Sequence, residues 1–413
     1  MGLLDKLREK DKKGYFRRTQ TAVSYPTGFV NLDYRNGYYV EVRNEDNELV
    51  KKYPSVGMVG GSFITIIGKS GVAKTTAAVQ FAANIVRNFN NGFVVHFDVE
   101  QALTYTRIRN VTGWTTEELK SKYILKQERT YIEDIFDTIV QISEEKISNF
   151  NEYSYETGLL NEFNEPIRML VPTVIILDSI PTVSAKEKKT IELEGGTYAN
   201  RVAKDLAQFY KRLTPIIKEA NIIFFAINHI NNKIEINPMV KTQPQLLGMK
   251  MDESMPGGNA PIYYAHNVLK FVTNGKFTKE EHGFDGFRVR CEFLKSRTNK
   301  SIQSTVMIYN QETGFDTIQT QYEFANDNGL VEGRNPYRYF INNKDIKFDS
   351  RKFKESFLEK VELRTSMFDN ILPVLKSQLS TIDLDSVSKA NKSMDVFYNL
   401  LESQENEEFD ENE

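Results

Sequence analysis

The chain has 413 residues, of which 40% are hydrophobic and 26% charged, and this composition excludes a wholly disordered protein. Its one cysteine, Cys291, excludes a disulfide framework or a thiolate metal cluster built within one chain, and it favours a reducing compartment. No apolar run approaches the ~18 residues of a membrane span. The N-terminus has no secretory apolar core, so we expect a cytoplasmic protein.

The charge is unevenly distributed along the chain. Residues 401–413 hold seven acidic and no basic side chains, whereas residues 1–20 hold seven basic and three acidic ones. Since the net charge is −3, the chain without its last 13 residues carries +4. Two interpretations stay open: the ends are solvated segments, or the protein binds a polyanion and its tail competes for the same basic surface.

Two elements are predicted ahead of the main fold. Residues 2–13 favour a short polar helix with Leu3, Leu4 and Leu7 on one side, which would be marginal in isolation. Residues 38–53 favour a β-hairpin that turns at residues 45–47.

From residue 63 onward, short apolar strands alternate with amphipathic helices. The predicted strands are Phe63–Ile67, Phe93–Phe97, Tyr123–Gln127, Val174–Asp178 and Ile222–Asn228, and the predicted helices are Thr75–Asn88, Tyr131–Phe150 and Tyr198–Ala220. This alternation predicts an α/β fold whose mostly parallel central sheet is covered by helices on both faces. Residues 151–170 form a polar insertion before the fourth strand.

After residue 265 the apolar period changes to two, which predicts an antiparallel extension of the same sheet. Its strands are Val268–Val272, Phe287–Leu294 and Thr305–Tyr309. The division into domains is then 1–24, a core over 25–330, a small C-terminal domain over 331–400, and an acidic disordered tail over 401–413. Apolar positions of the C-terminal domain recur with helical spacing at Phe353, Phe357, Val361, Phe368, Ile371, Leu372 and Leu375.

The first predicted core strand leads into a loop that follows the Walker A pattern G-x-x-x-x-G-K-S/T, and a helix follows the loop. The loop consists of Gly68, Lys69, Ser70, Gly71, Val72, Ala73, Lys74, Thr75 and Thr76. Backbone N–H groups at a helix N-terminus bind phosphate, a lysine reaches the outer phosphates, and a hydroxyl holds Mg²⁺. Ala73 stands where the pattern has glycine, which would cost on the order of 1 kcal/mol if the position requires a positive φ.

Two further strands end in carboxylates. Asp178 follows an apolar strand in the layout of a Walker B motif, where the carboxylate orients hydrated Mg²⁺. Glu100 follows the strand that ends at Asp98, and it can orient and deprotonate an attacking water. The alternative for Glu100 is a carboxylate that only caps the strand end.

These ordered motifs resemble the RecA family of ATP-dependent strand-exchange proteins, in particular the divergent phage recombinases. The resemblance covers roughly residues 25–315. It is carried by Tyr25-Pro26-Thr27-Gly28 with Leu32-Asp33, by Asp98–Leu103, by Asp178-Ser179-Ile180, by Ala226–Ile230, and by Pro256-Gly257-Gly258-Asn259-Ala260. The hairpin at 38–53 and the insertion at 151–170 depart from the bacterial pattern.

The resemblance implies an ATP and Mg²⁺ site with named roles. Glu100 would be the catalytic base, and Thr75 and Asp178 would hold the metal, Asp178 through water. His229 stands where the family commonly has glutamine, at the strand end that senses the γ-phosphate; a satisfied core histidine is the alternative. Lys295 and Arg297 match a basic pair that reaches the ATP of the neighbouring subunit. Tyr309 matches a ring near the adenine, and Thr104 and Arg107 lie where the family contacts the base, although the residue types differ.

The resemblance also implies two DNA-binding segments. The first, Ser184–Thr197, would bind through Lys186, Lys188, Lys189, Gly195 and Gly196. The second, Asn231–Met255, would bind through Lys233, Lys241 and Lys250, with Gly257, Gly258 and Asn259 closing it. An ordinary disordered loop is the alternative for the second segment. A loop of ~25 residues without clear structure is uncommon inside a compact domain and is usually functional or mobile, and both can hold here.

The implied function is a DNA-dependent ATPase that forms a filament on single-stranded DNA and exchanges strands with a homologous duplex. The first 24 residues would contact the next subunit, the tail would restrain access of duplex DNA, and single-strand-binding or loader proteins are possible partners. With a phage origin, the compartment would be the host cytoplasm. The alternatives are a ring-forming replicative helicase of the DnaB type and a mediator that binds nucleotide without hydrolysis.

Overall fold

The computed structural model describes residue 6 and residues 22–46, 48–183, 196–232 and 243–380. The predicted helix over 2–13, apart from Lys6, and the acidic tail lie outside these residues. The described residues up to Leu379 belong to one compact unit. The proposed domain boundaries at residues 24, 330 and 400 stay predictions. Within the described ranges, no helix combines the length and apolarity that crossing a bilayer requires.

A nine-stranded sheet forms the centre of the fold. In chain order we label its strands β1 (Phe63–Gly68), β2 (Phe93–Asp98), β3 (Tyr123–Lys126), β4 (Thr173–Asp178), β5 (Ile222–His229), β6 (Asn267–Phe277), β7 (Gly286–Ser296), β8 (Gln303–Asn310) and β9 (Gly314–Phe315). Their order across the sheet is β9-β8-β7-β6-β1-β5-β4-β2-β3. The pairs from β6 to β3 are parallel, and those from β6 to β9 are antiparallel. The predicted α/β architecture with an antiparallel extension is therefore confirmed.

Successive side chains of a strand point to opposite faces of the sheet. In the parallel strands, the side chains on both faces are buried. In β1, Ile64 and Ile66 enter one apolar cluster, while Phe63 enters the cluster on the other face. Among the residues that the structure describes from 22 onward, the helices are Val30–Arg35, Lys74–Val86, Tyr105–Thr112, Thr116–Lys122, Ile132–Ser148, Phe150–Tyr153, Gly196–Glu219, Ala260–Tyr263, Lys279–His282, Thr317–Asp327, Phe353–Glu359 and Val361–Ser377. Short 3₁₀ helices span Ile180–Thr182 and Ser350–Lys352.

A buried lysine joins the starting ends of two central strands. Lys146, on the helix Ile132–Ser148, is 4% exposed. Its ammonium group donates hydrogen bonds to Val171 O, Thr173 Oγ1 and Ala220 O, at 2.7, 3.2 and 2.5 Å. These acceptors lie just before or at the start of β4 and β5, so one side chain holds the starting ends of both strands to the helix.

Two hairpins outside the central sheet contact each other. The first pairs Tyr38–Arg43 with Leu49–Ser55, as predicted, and the second pairs Ser154–Leu160 with Pro166–Leu170 inside the polar insertion. Tyr53 Oη donates to Leu160 O at 2.6 Å, and Arg43 N donates to Glu162 O at 3.3 Å. The predicted hairpin and the polar insertion are thus joined by hydrogen bonds. Two minor pairs join Ser24–Tyr25 to Met58–Val59 and Asn231–Asn232 to Glu253–Ser254.

The C-terminal part of the described chain has an apolar cluster of its own, which includes side chains of its last two helices. A three-stranded sheet precedes them, with strands Val331–Arg334, Tyr337–Phe340 and Asn343–Asp349, and the sequence analysis missed it. Four of the predicted apolar positions, Phe353, Phe357, Ile371 and Leu375, are buried. The other three, Val361, Phe368 and Leu372, are 59%, 44% and 37% exposed, because they lie on the outer side of the helix Val361–Ser377.

Candidate nucleotide-binding site

The loop between β1 and the helix Lys74–Val86 has the geometry of a phosphate-binding loop. Ala73, immediately before that helix, adopts the left-handed conformation with φ 62° and ψ 32°. This is the position where the sequence pattern has glycine, so alanine costs on the order of 1 kcal/mol there. Gly71 also has a positive φ of 78°, and no atom lies within 4 Å of the position that a Cβ would take. The loop leaves open space at Gly71.

Lys74 is the buried cation of the loop. Its ammonium group donates hydrogen bonds to the carbonyl oxygens of Gly68 and Lys69, at 3.0 and 2.8 Å. Burial lowers the pKa of Lys74, and the charges of Asp178 and Glu100 oppose that shift. The lysine is therefore held across the loop, beside the two carboxylates of the site.

Thr75 and Asp178 are brought together as the sequence predicts for a magnesium site. Thr75 Oγ1 donates a hydrogen bond to Asp178 Oδ2 at 2.5 Å. Burial raises the pKa of Asp178 to about 6, partly offset by the hydrogen bond from Thr75. A hydroxyl and a carboxylate suit Mg²⁺, which keeps several waters and uses phosphate oxygens for the rest of its shell. Bound metal would make the ionised form of Asp178 more favourable, because it places a positive charge beside the carboxylate.

Glu100 lies at the same edge of the sheet and accepts two hydrogen bonds on one oxygen. Ser179 Oγ donates to Glu100 Oε1 at 2.6 Å, and His229 Nε2 lies 3.1 Å from the same oxygen. Burial by itself would raise the pKa of Glu100, but the hydrogen bonds from Ser179 and His229 outweigh it and lower that pKa. Glu100 is thus an ionised, partly exposed carboxylate, as a general base requires.

The capping role considered for Glu100 belongs instead to Asp98. Its Oδ2 accepts hydrogen bonds from Leu103 N at 2.9 Å and from Gln127 Nε2 at 2.7 Å. Asp98 is buried, and it closes the turn that carries Glu100. At this strand end, Asp98 therefore holds the turn, and Glu100 presents its carboxylate to the site.

A ring and a guanidinium group lie together at the end of β8. Arg107 donates to Tyr309 Oη at 2.8 Å and to the carbonyl oxygens of Gln311 and Glu312, at 3.1 and 2.8 Å. Tyr309 packs on Phe287 with ring centroids 4.6 Å apart. Residues of this region, Phe287 and Gln311, line a cavity of about 550 Å³ that also reaches Gly71. Arg107 therefore joins the helix Tyr105–Thr112 to Tyr309 of β8 and to the turn that follows this strand, a link that the sequence analysis did not find.

Lys295 and Arg297 lie together at the end of β7. Lys295 Nζ donates to Ile262 O and Tyr263 O at 2.8 and 2.9 Å, and Arg297 donates to Tyr263 O at 3.0 Å. Burial, and then the neighbouring Arg297, lower the pKa of Lys295 to about 8. Within the described chain these cations contact the end of the helix Ala260–Tyr263 and make no hydrogen bond to the phosphate loop. Tyr263 beside them is 69% exposed.

The described ends of the second predicted DNA-binding segment are folded. Residues 231–232 pair with 253–254, and Leu246, Met249 and Met255 pack against a buried cluster that includes Ile67 of β1. Glu253 forms a buried ion pair with Lys270 of β6 at 2.7 Å, and it also accepts from Lys250 N at 2.9 Å. Apolar anchors and an ion pair therefore hold the described ends of this segment to the core, and its DNA-binding role stays a prediction.

The two glycines that close this segment have a steric reason. Gly257 and Gly258 have φ values of 88° and 72°, which favour glycine. A Cβ on Gly258 would lie 2.8 Å from Ala203 Cβ, and one on Gly257 would lie 2.9 Å from Leu206. Both contacts are with the helix Gly196–Glu219, which follows the first predicted DNA-binding segment. Asn259 follows, and its Oδ1 accepts from Gln245 Nε2 at 3.3 Å.

Several predicted DNA-binding residues lie outside the described part of the chain. They are Lys186, Lys188, Lys189, Gly195, Lys233 and Lys241. Gly196 is the first residue of the helix Gly196–Glu219. The DNA-binding roles of all these residues stay predictions.

Two comparisons with known proteins bear on this arrangement. A family model for the KaiC ATPase matches residues 47–195. The RecA protein of Ruminococcus albus is 22% identical over 279 residues, which cover 67% of this chain and 58% of that protein. The chain thus spans less than two thirds of the length of this relative.

The fold, the phosphate loop and the polar strand ends define a P-loop ATPase domain of the RecA type. The two matches show that this chain is similar to a KaiC ATPase domain and to a RecA protein.

Proposed function

We propose that this protein is a DNA-dependent ATPase of the phage-recombinase type, which forms filaments on single-stranded DNA and exchanges strands with a homologous duplex. ATP and Mg²⁺ are its cofactors, and further copies of the chain and both forms of DNA are its partners. Single-strand-binding or loader proteins are auxiliary partners in this proposal. It acts in the cytoplasm, that of the host if the protein comes from a phage.

The observation that carries the proposal is the connection between the nucleotide site and the segments assigned to DNA. The phosphate loop, Glu100, Asp178 and His229 all lie at the carboxyl ends of adjacent strands, where ligands of α/β sheets bind. The chain runs from β4 into residues 184–195 and from β5 into residues 233–242. Gly257 and Gly258 hold the return of the second segment against the helix that follows the first. Both segments are thereby tied to the strand ends that carry the nucleotide chemistry.

Each site residue has its own role in the proposed hydrolysis of ATP. Backbone N–H groups of the loop and Lys74 bind the phosphates. Thr75 and Asp178 would hold Mg²⁺, which would supply positive charge against the phosphates. Glu100 accepts the proton of the attacking water as the new bond to the γ-phosphorus forms and the bond to the β-phosphate oxygen breaks. Lys295 and Arg297 act on the ATP of a neighbouring subunit, which makes hydrolysis depend on assembly.

His229 connects the reaction to the second DNA-binding segment. Its imidazole is within hydrogen-bond distance of Glu100, and its backbone is continuous with residues 230–232. In the proposed cycle, the γ-phosphate or its water competes with Glu100 for the imidazole, so the strand end differs between the ATP-bound and nucleotide-free states.

Binding of single-stranded DNA would be mainly electrostatic and directed to the phosphate backbone, which leaves base edges free to pair. The test is ATP hydrolysis with and without single-stranded DNA, followed by strand exchange with a homologous and an unrelated duplex. We expect DNA to stimulate hydrolysis and only the homologous duplex to exchange. Stimulated hydrolysis without exchange would contradict the recombinase assignment and leave the ATPase assignment intact.

Imaging tests the helicase alternative, and nucleotide turnover tests the mediator alternative. With ATP and single-stranded DNA, negative-stain electron microscopy should show helical filaments, whereas six-membered rings would support the replicative helicase. Nucleotide binding without turnover would support the non-hydrolysing mediator.

A further inference from the structure

Ser179, which donates a hydrogen bond to Glu100, is fully buried in the site. It follows Asp178 directly, and its side chain is 0% exposed. We infer that Ser179 is a positioning residue for ATP hydrolysis, which fixes one carboxylate oxygen of Glu100 so that the other faces the attacking water. This inference rests on the proposed ATPase reaction and is independent of strand exchange.

The hydrogen bond from Ser179 is the shorter of the two that Glu100 accepts. Ser179 Oγ lies 2.6 Å from Glu100 Oε1, within the range of about 2.5–2.7 Å that is typical of a hydroxyl bound to a carboxylate. In the described chain, Glu100 Oε2 accepts no hydrogen bond. The two oxygens therefore have different surroundings, one fixed by the protein and one available to water.

The backbone around this contact is rigid on both sides. Asp178 and Asp98 are register partners in the parallel strands β4 and β2, and Val99 N donates to Asp178 O at 2.8 Å. Ser179 and Glu100 follow this joined pair of strand ends. The Ser179–Glu100 contact is thus built on the sheet itself, which is how a catalytic group is held to a narrow range of positions.

The contact from His229 differs in each of these respects. Its Nε2 lies 3.1 Å from Glu100 Oε1, its side chain is 30% exposed, and its strand, β5, is not a neighbour of β2. A partner at this distance and exposure can leave Glu100 when another acceptor is bound. Ser179 has no such freedom, because it is buried and its backbone pairs with Thr182. Ser179 is therefore the constant partner of Glu100, and His229 is the exchangeable one.

The experiment measures ATP hydrolysis by the full chain and by Ser179→Ala. Loss of the donor should lower kcat by about tenfold and change KM by less than about twofold, because nucleotide binding does not use this hydroxyl. A kcat equal to that of the unmodified chain would overturn the inference. A large rise in KM with kcat unchanged would also overturn it, since that is a binding effect.

Thr182→Val is the matched control for the structure of the turn. Thr182 Oγ1 donates to Ser179 O at 2.7 Å but makes no contact with Glu100. We expect its kcat to stay within about twofold of the unmodified chain, and thermal unfolding should show that both variants are folded. If Thr182→Val lost as much kcat as Ser179→Ala, the turn and not the hydroxyl donor would be responsible, and the inference would fail.

A second background tests whether Ser179 acts through Glu100. In Glu100→Gln protein, assayed by single turnover, adding Ser179→Ala should change the residual rate by less than about twofold, because the group that it positions is already absent. An undiminished tenfold loss in that background would show a role elsewhere. Ser179→Cys fills the same space with a weaker donor, so its kcat should fall as well; full activity would assign the effect to packing.

Discussion

Replacing Gly258 by alanine tests the close approach between the end of the second DNA-binding segment and the helix Gly196–Glu219. Two costs are expected from the structure. The φ of 72° places an L-residue in the left-handed region, at about 1 kcal/mol. The added Cβ would also lie 2.8 Å from Ala203 Cβ, and relief of such overpacking costs about 1–3 kcal/mol. The total is therefore about 2–4 kcal/mol.

Gly158→Ala is the matched control, because Gly158 has a φ of 71° and no atom within 4 Å of the position that its Cβ would take. It should cost only the backbone part, about 1 kcal/mol. Thermal unfolding followed by circular dichroism compares the two variants, and Gly258→Ala should unfold at the lower temperature, by an amount that reflects about 1–3 kcal/mol. Equal unfolding temperatures would refute the steric part of the reasoning, since the two positions share the same backbone strain.

Four further outcomes follow from the site and the charge distribution. Glu100→Gln should bind ATP normally but hydrolyse it about 10²–10⁴ times more slowly, and loss of nucleotide binding in this variant would show that Glu100 is structural. Mixtures of Glu100→Gln protein with Lys295→Ala or Arg297→Ala protein should hydrolyse more ATP than the separate samples together, and no recovery despite proven co-assembly would count against action across the interface. Removal of residues 401–413 should tighten duplex DNA binding at low salt, with the difference shrinking towards ~1 M salt; titration of labelled duplex with both proteins measures it, and equal affinities at low salt would contradict competition by the tail. Because burial raises the pKa of Asp178 to about 6, Mg²⁺-dependent ATP binding should weaken as the pH falls through that value, whereas Asp178→Asn protein should lack this dependence in a fluorescent-nucleotide titration.

The strands that carry the site could be predicted from the sequence because each is a short apolar run followed at once by a polar residue. Such a pattern defines both the strand and the sheet edge to which its end points. The helix Tyr105–Thr112 was missed because only Ile108, Val111 and Thr112 are buried on it, too few for a clear helical period. The sheet over 331–349 was missed for a related reason, since most of its side chains are at least partly exposed and show no alternation.

The contacts within the site depend on distances that one-dimensional spacing does not contain. His229 and Glu100 are 129 residues apart in the chain, and Arg107 and Tyr309 are 202 apart. The conformation of Ala73 was an open question in the sequence, because alanine alone does not indicate a left-handed backbone. The order of the motifs could identify the residues of the site, whereas the contacts between those residues could be known only from the fold.

The buried Lys146 has a mechanical consequence for the nucleotide site. It donates hydrogen bonds to Thr173 at the start of β4 and to Ala220 just before β5, and so holds the starting ends of both strands at one point. Asp178 lies five residues further along β4, about 17 Å away at the usual rise of a strand. Sliding of β4 against β5 would break the hydrogen bonds of Lys146, so these bonds fix the position of one strand relative to the other. We therefore expect changes between nucleotide states in the segments beyond the strand ends, where small rotations of the backbone displace the following residues furthest.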